Sequence, residues 1–413
     1  MSEIDPAPEQ PAEPQLPGST PADGAISESS RDYRTPPTAA AERPPMPPGW
    51  QPELGLPSRT IVQKPRPPHP NFWWSWLWCL FFLFTTQIPG AVVAAGLVVA
   101  MLLLWPGQFP KEAITDQASL MKSPQMSLFL AVAFFITELL VIGVSLLVIR
   151  LVVGRDWTRQ LAVRRPSLAH TVLAVASLPA LIILGNVAYD ILRNVLHLPS
   201  ISDLGVAGME DMVKIFSQWP AAFAVLVIGV GPGIGEELWC RGFLGRGLVG
   251  THGVLLGVLA SSFFFGLIHL DPCQGTMAML MGLWLHFVYL TTRSLWLPML
   301  LHFLNNSFAV VAPRIPQLEA FDAKPGDIPT IVYIAGALLL AAVAYGLYRS
   351  RARLEAEGAE AILSWRPAYP GVEYPPSDSE RYVIHPPISL PAFALTGACF
   401  FLFLIACTIW IVS

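Results

Sequence analysis

Residues 219–249 read WPAAFAVLVIGVGPGIGEELWCRGFLGRGLV. The run is long and apolar enough to cross about 30 Å of hydrocarbon. Yet it carries two adjacent glutamates and an arginine, Glu236, Glu237 and Arg241. Each such group costs a few kcal/mol near the centre of a bilayer, so an intramembrane ionisable residue is a functional candidate by default.

The surrounding chain makes the membrane reading general. Of 413 residues, 53% are hydrophobic and 13% charged, far from the roughly 25% charged of a soluble domain, which points to a polytopic membrane protein. The formal charge of −4 gives no basic field, so no nucleic-acid partner is expected. Five scattered cysteines without a CxxC suggest neither a disulfide framework nor a zinc ribbon. Residues 1–70 are Pro-rich without apolar periodicity and read as a disordered cytoplasmic tail, without a signal peptide.

From Phe72 onward, apolar runs recur near 73–104, 128–149, 169–192, 219–249, 253–270, 276–292, 296–312, 330–347 and 389–412. The expected fold is therefore all-α, a polytopic membrane bundle of about nine transmembrane helices. With the N-terminus inside, inner segments hold sixteen Lys and Arg and outer loops six, the asymmetry that sets topology. The expected organisation is a tail over 1–70, a transmembrane pair over 71–168, a core over 169–312, and over 313–413 a second pair with a cytoplasmic loop.

Helix geometry separates the two glutamates. Neighbours on a helix are about 100° apart, so Glu236 and Glu237 face different targets. Glu237 and Arg241 are i,i+4, a spacing that favours an ion pair. Glu236 is then left without a local cation, a disposition that suits a general base.

Other polar side chains fall in neighbouring runs. FFFGLIHL carries Phe265 and His269, and PMLLHFLNNS carries His302, Asn305 and Asn306. Glu236 lies 14 residues before the turn at Gly250, and His269 lies 16 after Gly253. At about 1.5 Å per residue both reach a similar depth. His302 joins them if the hairpin projects about 10 Å beyond the membrane face.

His302 and Asn306 share a helix face and offer two donors for an oxyanion. Glu236 and His269 can polarise a water. Zinc on Glu236, His269 and His302 is the alternative, and it is not favoured because no HExxH is present and the three lie on three helices. His286 is assigned to packing first and to lining the site second. Glu138 reads as a structural hydrogen bond, the pair Asn186 and Asp190 as packing, and Cys240 as a small hydrophobe. Trp73, Trp74, Trp76 and Trp78 read as an interfacial belt.

EELWCR fits an EExxxR pattern, FGLIH an FxxxH pattern and HFLNN an HxxxN pattern. In this order, each on its own span, they resemble the CPBP (CAAX protease and bacteriocin-processing, or ABI) family of intramembrane glutamate proteases. That family includes the type II CAAX prenyl endopeptidases. The resemblance covers roughly residues 170–312, and so gives the expected core its name as CPBP-like and catalytic.

The resemblance implies a multi-pass membrane endopeptidase, of the kind active in CAAX-box protein processing, acting on a membrane-associated or lipidated protein or peptide. It implies Glu236 as the activator of water, helped by His269, with His302 and Asn306 as the oxyanion site. Glu237 and Arg241 are implied as structural support. Phe265, Asn305 and His286 are the possible lining. The expected partners are a protein or peptide substrate and membrane lipid. The alternative function is a non-catalytic membrane scaffold or bacteriocin-immunity-type binding protein on the same fold.

Overall fold

A computed structural model describes residues 68–104, 124–204, 208–316, 327–356, 381–384 and 386–412, all within the unit Gln63–Ser413. The Pro-rich tail to residue 67 and most of the loop after residue 356 lie outside the described residues.

The chain forms a helical bundle. Its helices are α1 (Phe72–Leu104), α2 (Pro124–Val152), α3 (Leu168–Val195) and the short amphipathic α4 (Met209–Ser217). They continue with α5 (residues 221–252), α6 (Val254–Leu267), α7 (Pro272–Thr292), α8 (Trp296–Val311), α9 (Thr330–Arg349) and α10 (Leu390–Val412). Among the described residues the one sheet is a two-stranded antiparallel ribbon, β1 (Arg353–Ala356) against β2 (Arg381–Ile384), with Arg353 opposite Ile384.

The all-α architecture is as the sequence predicts, and each of the nine apolar runs falls on a helix. Among the described residues seven segments are long and apolar enough to cross a membrane, one of them the 47-residue Ala221–Leu267. That segment folds back at Gly253, whose φ of 81° belongs to the left-handed region open to glycine. Its halves, α5 and α6, pack antiparallel: Gly257 meets the Val249 backbone, and Ser261 Oγ donates to the Cys240 carbonyl at 2.7 Å. α8 has 16 residues, about 24 Å of helix, short of the hydrocarbon thickness. It sits inside the bundle, where length need not match the membrane.

Hydrogen bonds gather alternate helix ends into two layers. In one, Phe72 N donates to His252 Nε2 at 3.3 Å, Arg246 Nη2 to Gln160 Oε1 at 2.8 Å and Tyr289 Oη to the Leu161 carbonyl at 2.8 Å. Ala352 N joins the same layer through the Thr291 carbonyl at 2.7 Å. In the other, Trp219 Nε1 donates to the Ser127 carbonyl at 3.1 Å, Arg314 Nη2 to the Phe216 carbonyl at 2.7 Å and Ser200 Oγ to Asp271 Oδ2 at 2.6 Å.

Asp271 opens α7 as its N-cap, accepting from Gln274 N at 2.7 Å, with Pro272 in the first turn where its missing N–H costs nothing.

Three apolar clusters hold the bundle. The first joins α1, α2, α5 and α6 through Phe82, Val141, Trp239, Phe243 and Phe264. The second joins α3, α7, α9 and α10 through Ile183, Leu285, Leu339 and Phe403. The third seats α4 under the ends of α2 and α8 through Phe216, Trp219 and Val310. The tryptophans expected to form a belt divide in two. Trp73 and Trp74 are exposed, whereas Trp76 packs on Phe264 and Trp78 on Phe243.

Candidate active site

α5 approaches its neighbours through alternating glycines. A side chain at Gly231 would lie 2.7 Å from Glu138, and one at Gly235 2.5 Å from Val141, both on α2. Gly229 and Gly233 face α8 instead, the first against Ser307 and the second 3.1 Å from the Phe303 backbone. Residues two apart on a helix point to opposite sides, so GVGPG (229–233) and the following Ile234 and Gly235 interleave two small-xxx-small contacts, the device that brings helices together in lipid. The backbone just before Glu236 is thereby wedged between α2 and α8. π-Helical turns at Val225–Val230 and Leu238–Leu244 flank this segment, a local geometry common at functional sites.

Glu237 and Arg241 are both fully buried and bonded, Arg241 Nη1 to Glu237 Oε1 at 2.5 Å. Arg241 Nη2 also donates to the Gly282 carbonyl at 3.2 Å, and the guanidinium lies 4.4 Å over the Phe265 ring. A buried charge pair is tolerable only with such additional partners. His302 Nδ1 lies 2.8 Å from the same Glu237 oxygen. The carboxylate accepts, so Nδ1 carries the proton and Nε2 points the other way.

That second nitrogen is 3.9 Å from Glu236 Oε2, within electrostatic reach but beyond a direct hydrogen bond. Glu236 is the partly open member of the pair, its side chain 18% exposed against 0% for Glu237.

His269 occupies a different place from the one its sequence depth predicts. α6 ends at Leu267, so His269 lies in the turn beyond it. With Ser261 bonded to Cys240, the antiparallel register brings Phe265 to the level of Glu236. His269 follows one turn later and folds back, Nδ1 donating to the Phe265 carbonyl at 2.9 Å. In the neutral ring this leaves an Nε2 lone pair. Phe265 is the hub, since both imidazoles contact its ring edge-to-face, at 5.2 Å for His269 and 5.7 Å for His302.

Asn306, one turn beyond His302, donates to the Ile228 carbonyl at 3.1 Å in the first π-helical turn. Its Oδ1 accepts from Asn305 at 3.3 Å. His286 is fully buried, Nδ1 bonding the Gly282 carbonyl at 3.3 Å behind Arg241. Glu138 departs from its sequence reading: its buried Oε2 has no hydrogen-bond partner among the described residues.

Among the described residues, no three His, Cys, Asp or Glu side chains converge to hold a metal ion. Glu236, His269 and His302 form no such group among the described residues.

Residues 218–308 match the type II CAAX prenyl endopeptidase Rce1-like family. This segment is similar to that family. It spans all three motifs, from before the glycine face of α5 to just beyond Asn306 on α8. Comparison with curated proteins and with solved structures finds no match. The apolar helices around this segment make the chain an integral membrane protein, and residues 218–308 within it resemble a family of proteases.

Sequence reasoning missed three parts of this arrangement: the glycine alternation, the Gly282 carbonyl that anchors Arg241 and His286, and Glu138. The first was readable in the spacing of Gly229, Gly231, Gly233 and Gly235. The other two depend on which helices meet.

Proposed function

We propose that the protein is an intramembrane endopeptidase that hydrolyses a peptide bond of a membrane-associated or lipidated protein. The observation that carries this reading is the division of labour in the glutamate pair. Glu237 is spent on Arg241 and His302, while the partly open Glu236 faces the second nitrogen of His302 at 3.9 Å. A gap of that length between polar groups is where a bridging water fits.

Glu236 takes a proton from that water as its oxygen attacks the carbonyl carbon. The carbonyl π electrons move onto oxygen. The second N–H of Asn306 and the Nε2 of His302, in its protonated form, stabilise that oxyanion. Collapse breaks the C–N bond, and Glu236 returns the proton to the leaving amine. His269 orients the water through its Nε2 lone pair.

The catalytic core is the segment around the three motifs, with the Arg-rich layer on the cytoplasmic side. Among the described residues that layer holds Arg150, Arg155, Arg159, Arg164, Arg165, Arg246 and Arg293, against Arg193, Lys214 and Arg314 in the other, which supports an N-terminus inside.

The test is cleavage of a farnesylated peptide by the purified protein in lipid vesicles. Glu236→Gln and Asn306→Ala are expected to abolish or sharply reduce turnover while the protein stays folded. Wild-type turnover by Glu236→Gln would overturn the reading and favour a non-catalytic binding protein.

A further inference from the structure

The link between α2 and α3 (residues 153–167) meets the ends of α5 and α7 at one place. Arg246 Nη2, near the end of α5, donates to Gln160 Oε1 at 2.8 Å, and Tyr289 Oη of α7 to the adjoining Leu161 carbonyl at 2.8 Å. The backbone after α7 continues along the same link. Leu295 N donates to the Ala162 carbonyl at 3.0 Å, and Ser294 Oγ to the Arg164 carbonyl at 2.6 Å. Arg293, next to Ser294, is the left-handed C-cap of α7, one turn after Tyr289. Bonds to residues 160–164 thus gather Arg164, Arg246 and Arg293, from three separate segments, onto one short stretch of backbone.

The fold supplies little to balance their charge. The segments that meet here, residues 145–168, 241–254, 286–296 and 346–353, contain one acidic residue, Asp156, and it is exposed. The Nε atoms of Arg246 and Arg293 are buried without an acceptor among the described residues, while both side chains remain partly open to solvent. Arg241, deeper on the same α5, has the Glu237 carboxylate instead. Burial, and then the charge of Arg164, hold Arg293 down to about 10. A cation is favourable at a helix C-terminus, which accounts for Arg293 alone and not for two more arginines set beside it. Buried donors without acceptors are costly, so the cluster is built for an anion from outside the chain.

We propose that Arg164, Arg246 and Arg293 form a phosphate-binding site filled by the headgroup of an anionic lipid. Guanidinium forks match phosphate oxygens two at a time. Arg293 follows the apolar span Pro272–Thr292 by one residue, at the level where a basic pocket between helix ends meets lipid phosphates. The site does not rest on the catalytic reading. Arg246 lies ten residues beyond Glu236, about 15 Å along the helix, and no step of cleavage uses it.

Thermal unfolding of the full-length protein in nonionic detergent, titrated with phosphatidylglycerol, tests the site. The midpoint is expected to rise and saturate with phosphatidylglycerol and to stay flat with phosphatidylcholine. Arg246→Gln and Arg293→Gln are each expected to weaken the apparent affinity about tenfold, the loss of one charge-assisted contact. Arg293→Lys keeps the charge without the fork, should fall between, and serves if the glutamine variant does not fold. Arg165→Gln, at an exposed position on the same link, is expected to leave the titration unchanged. Without lipid, Arg293→Gln is expected to unfold no lower than the wild type, because it removes a buried cation; a lower midpoint would mark Arg293 as structural. Equal weakening by Arg165→Gln and Arg293→Gln would overturn the site in favour of diffuse surface charge. Inorganic phosphate as effective as the lipid at equal concentration would overturn the lipid as the source of the phosphate. An unchanged titration by Arg293→Gln, with a raised KM for the farnesylated peptide, would overturn the proposal in favour of a site for the substrate's terminal carboxylate.

Discussion

His302 Nε2 stands 3.9 Å from Glu236 Oε2, with its other nitrogen tied to Glu237. The imidazole therefore cannot swing toward Glu236 without surrendering a buried bond. Replacing Glu236 with glutamine removes a general base and preserves volume. Turnover is expected to fall by about 10²–10⁴-fold, the usual contribution of a positioned base, with unchanged thermal unfolding. His302→Ala is expected to lose activity and stability together, because it also strips a partner from Glu237.

Arg241 and Glu237 are both fully buried, so removing one strands the other. Arg241→Ala is expected to cost about 3–5 kcal/mol, read as a lower unfolding midpoint in detergent or vesicles. The double change Glu237→Gln with Arg241→Met leaves no unpaired charge and is expected to recover a good part of that loss. Equal destabilisation by the single and double variants would show that packing, not charge, dominates the site.

The glycine face makes a positional prediction. Gly231→Ala and Gly233→Ala insert a methyl where α2 or α8 already lies within 2.7 or 3.1 Å, and each is expected to destabilise by about 1–3 kcal/mol. Gly143→Ala, on the same α2 with nothing within 4 Å, is the control. It is expected to be neutral or slightly stabilising, as alanine generally is in a helix interior.

Asp271 ties the loop before α4 to the start of α7, through Ser200 Oγ, Ile201 N and Gln274 N. Its burial pushes the carboxyl up, but the bonds from Ser200, Gln274, Ile201 and Cys273 outweigh that and hold it below the usual range. A group depressed in the folded state stabilises the fold above its unfolded pKa, near 3.9, and loses that contribution as pH falls through the folded value. Asp271→Ala is therefore expected to cost about 1 kcal/mol, as loss of a helix cap does, at every pH above about 4. Unfolding midpoints of the two proteins should converge in stronger acid, and a gap independent of pH would exclude the carboxylate as its source.

Much of the fold is legible in the chain because membrane helices announce themselves by length and apolarity alone. The same signal misjudges α8, whose 16 residues are sheltered by protein and need not meet the membrane thickness. Within one helix, spacing was informative: Glu237 and Arg241 are four apart and lie in bonding contact. Between helices it was not. Depth counted from the Gly253 turn put His269 level with Glu236, but α6 stops at Leu267 and the register brings Phe265 there instead. Glu138 looked solitary since its neighbour is a glycine on another helix, and a missing side chain leaves no mark in a pattern of polar residues.

Four glycines in seven residues also decide how Glu236 is held. Its main chain approaches α2 and α8 closely, Gly233 and Gly235 reaching the backbone of Phe303 and of Val141 and Ile142, so the position of the carboxylate is inherited largely from three helix axes. Heat should leave such a site working up to the temperature at which the bundle itself comes apart, and silence it there in one step.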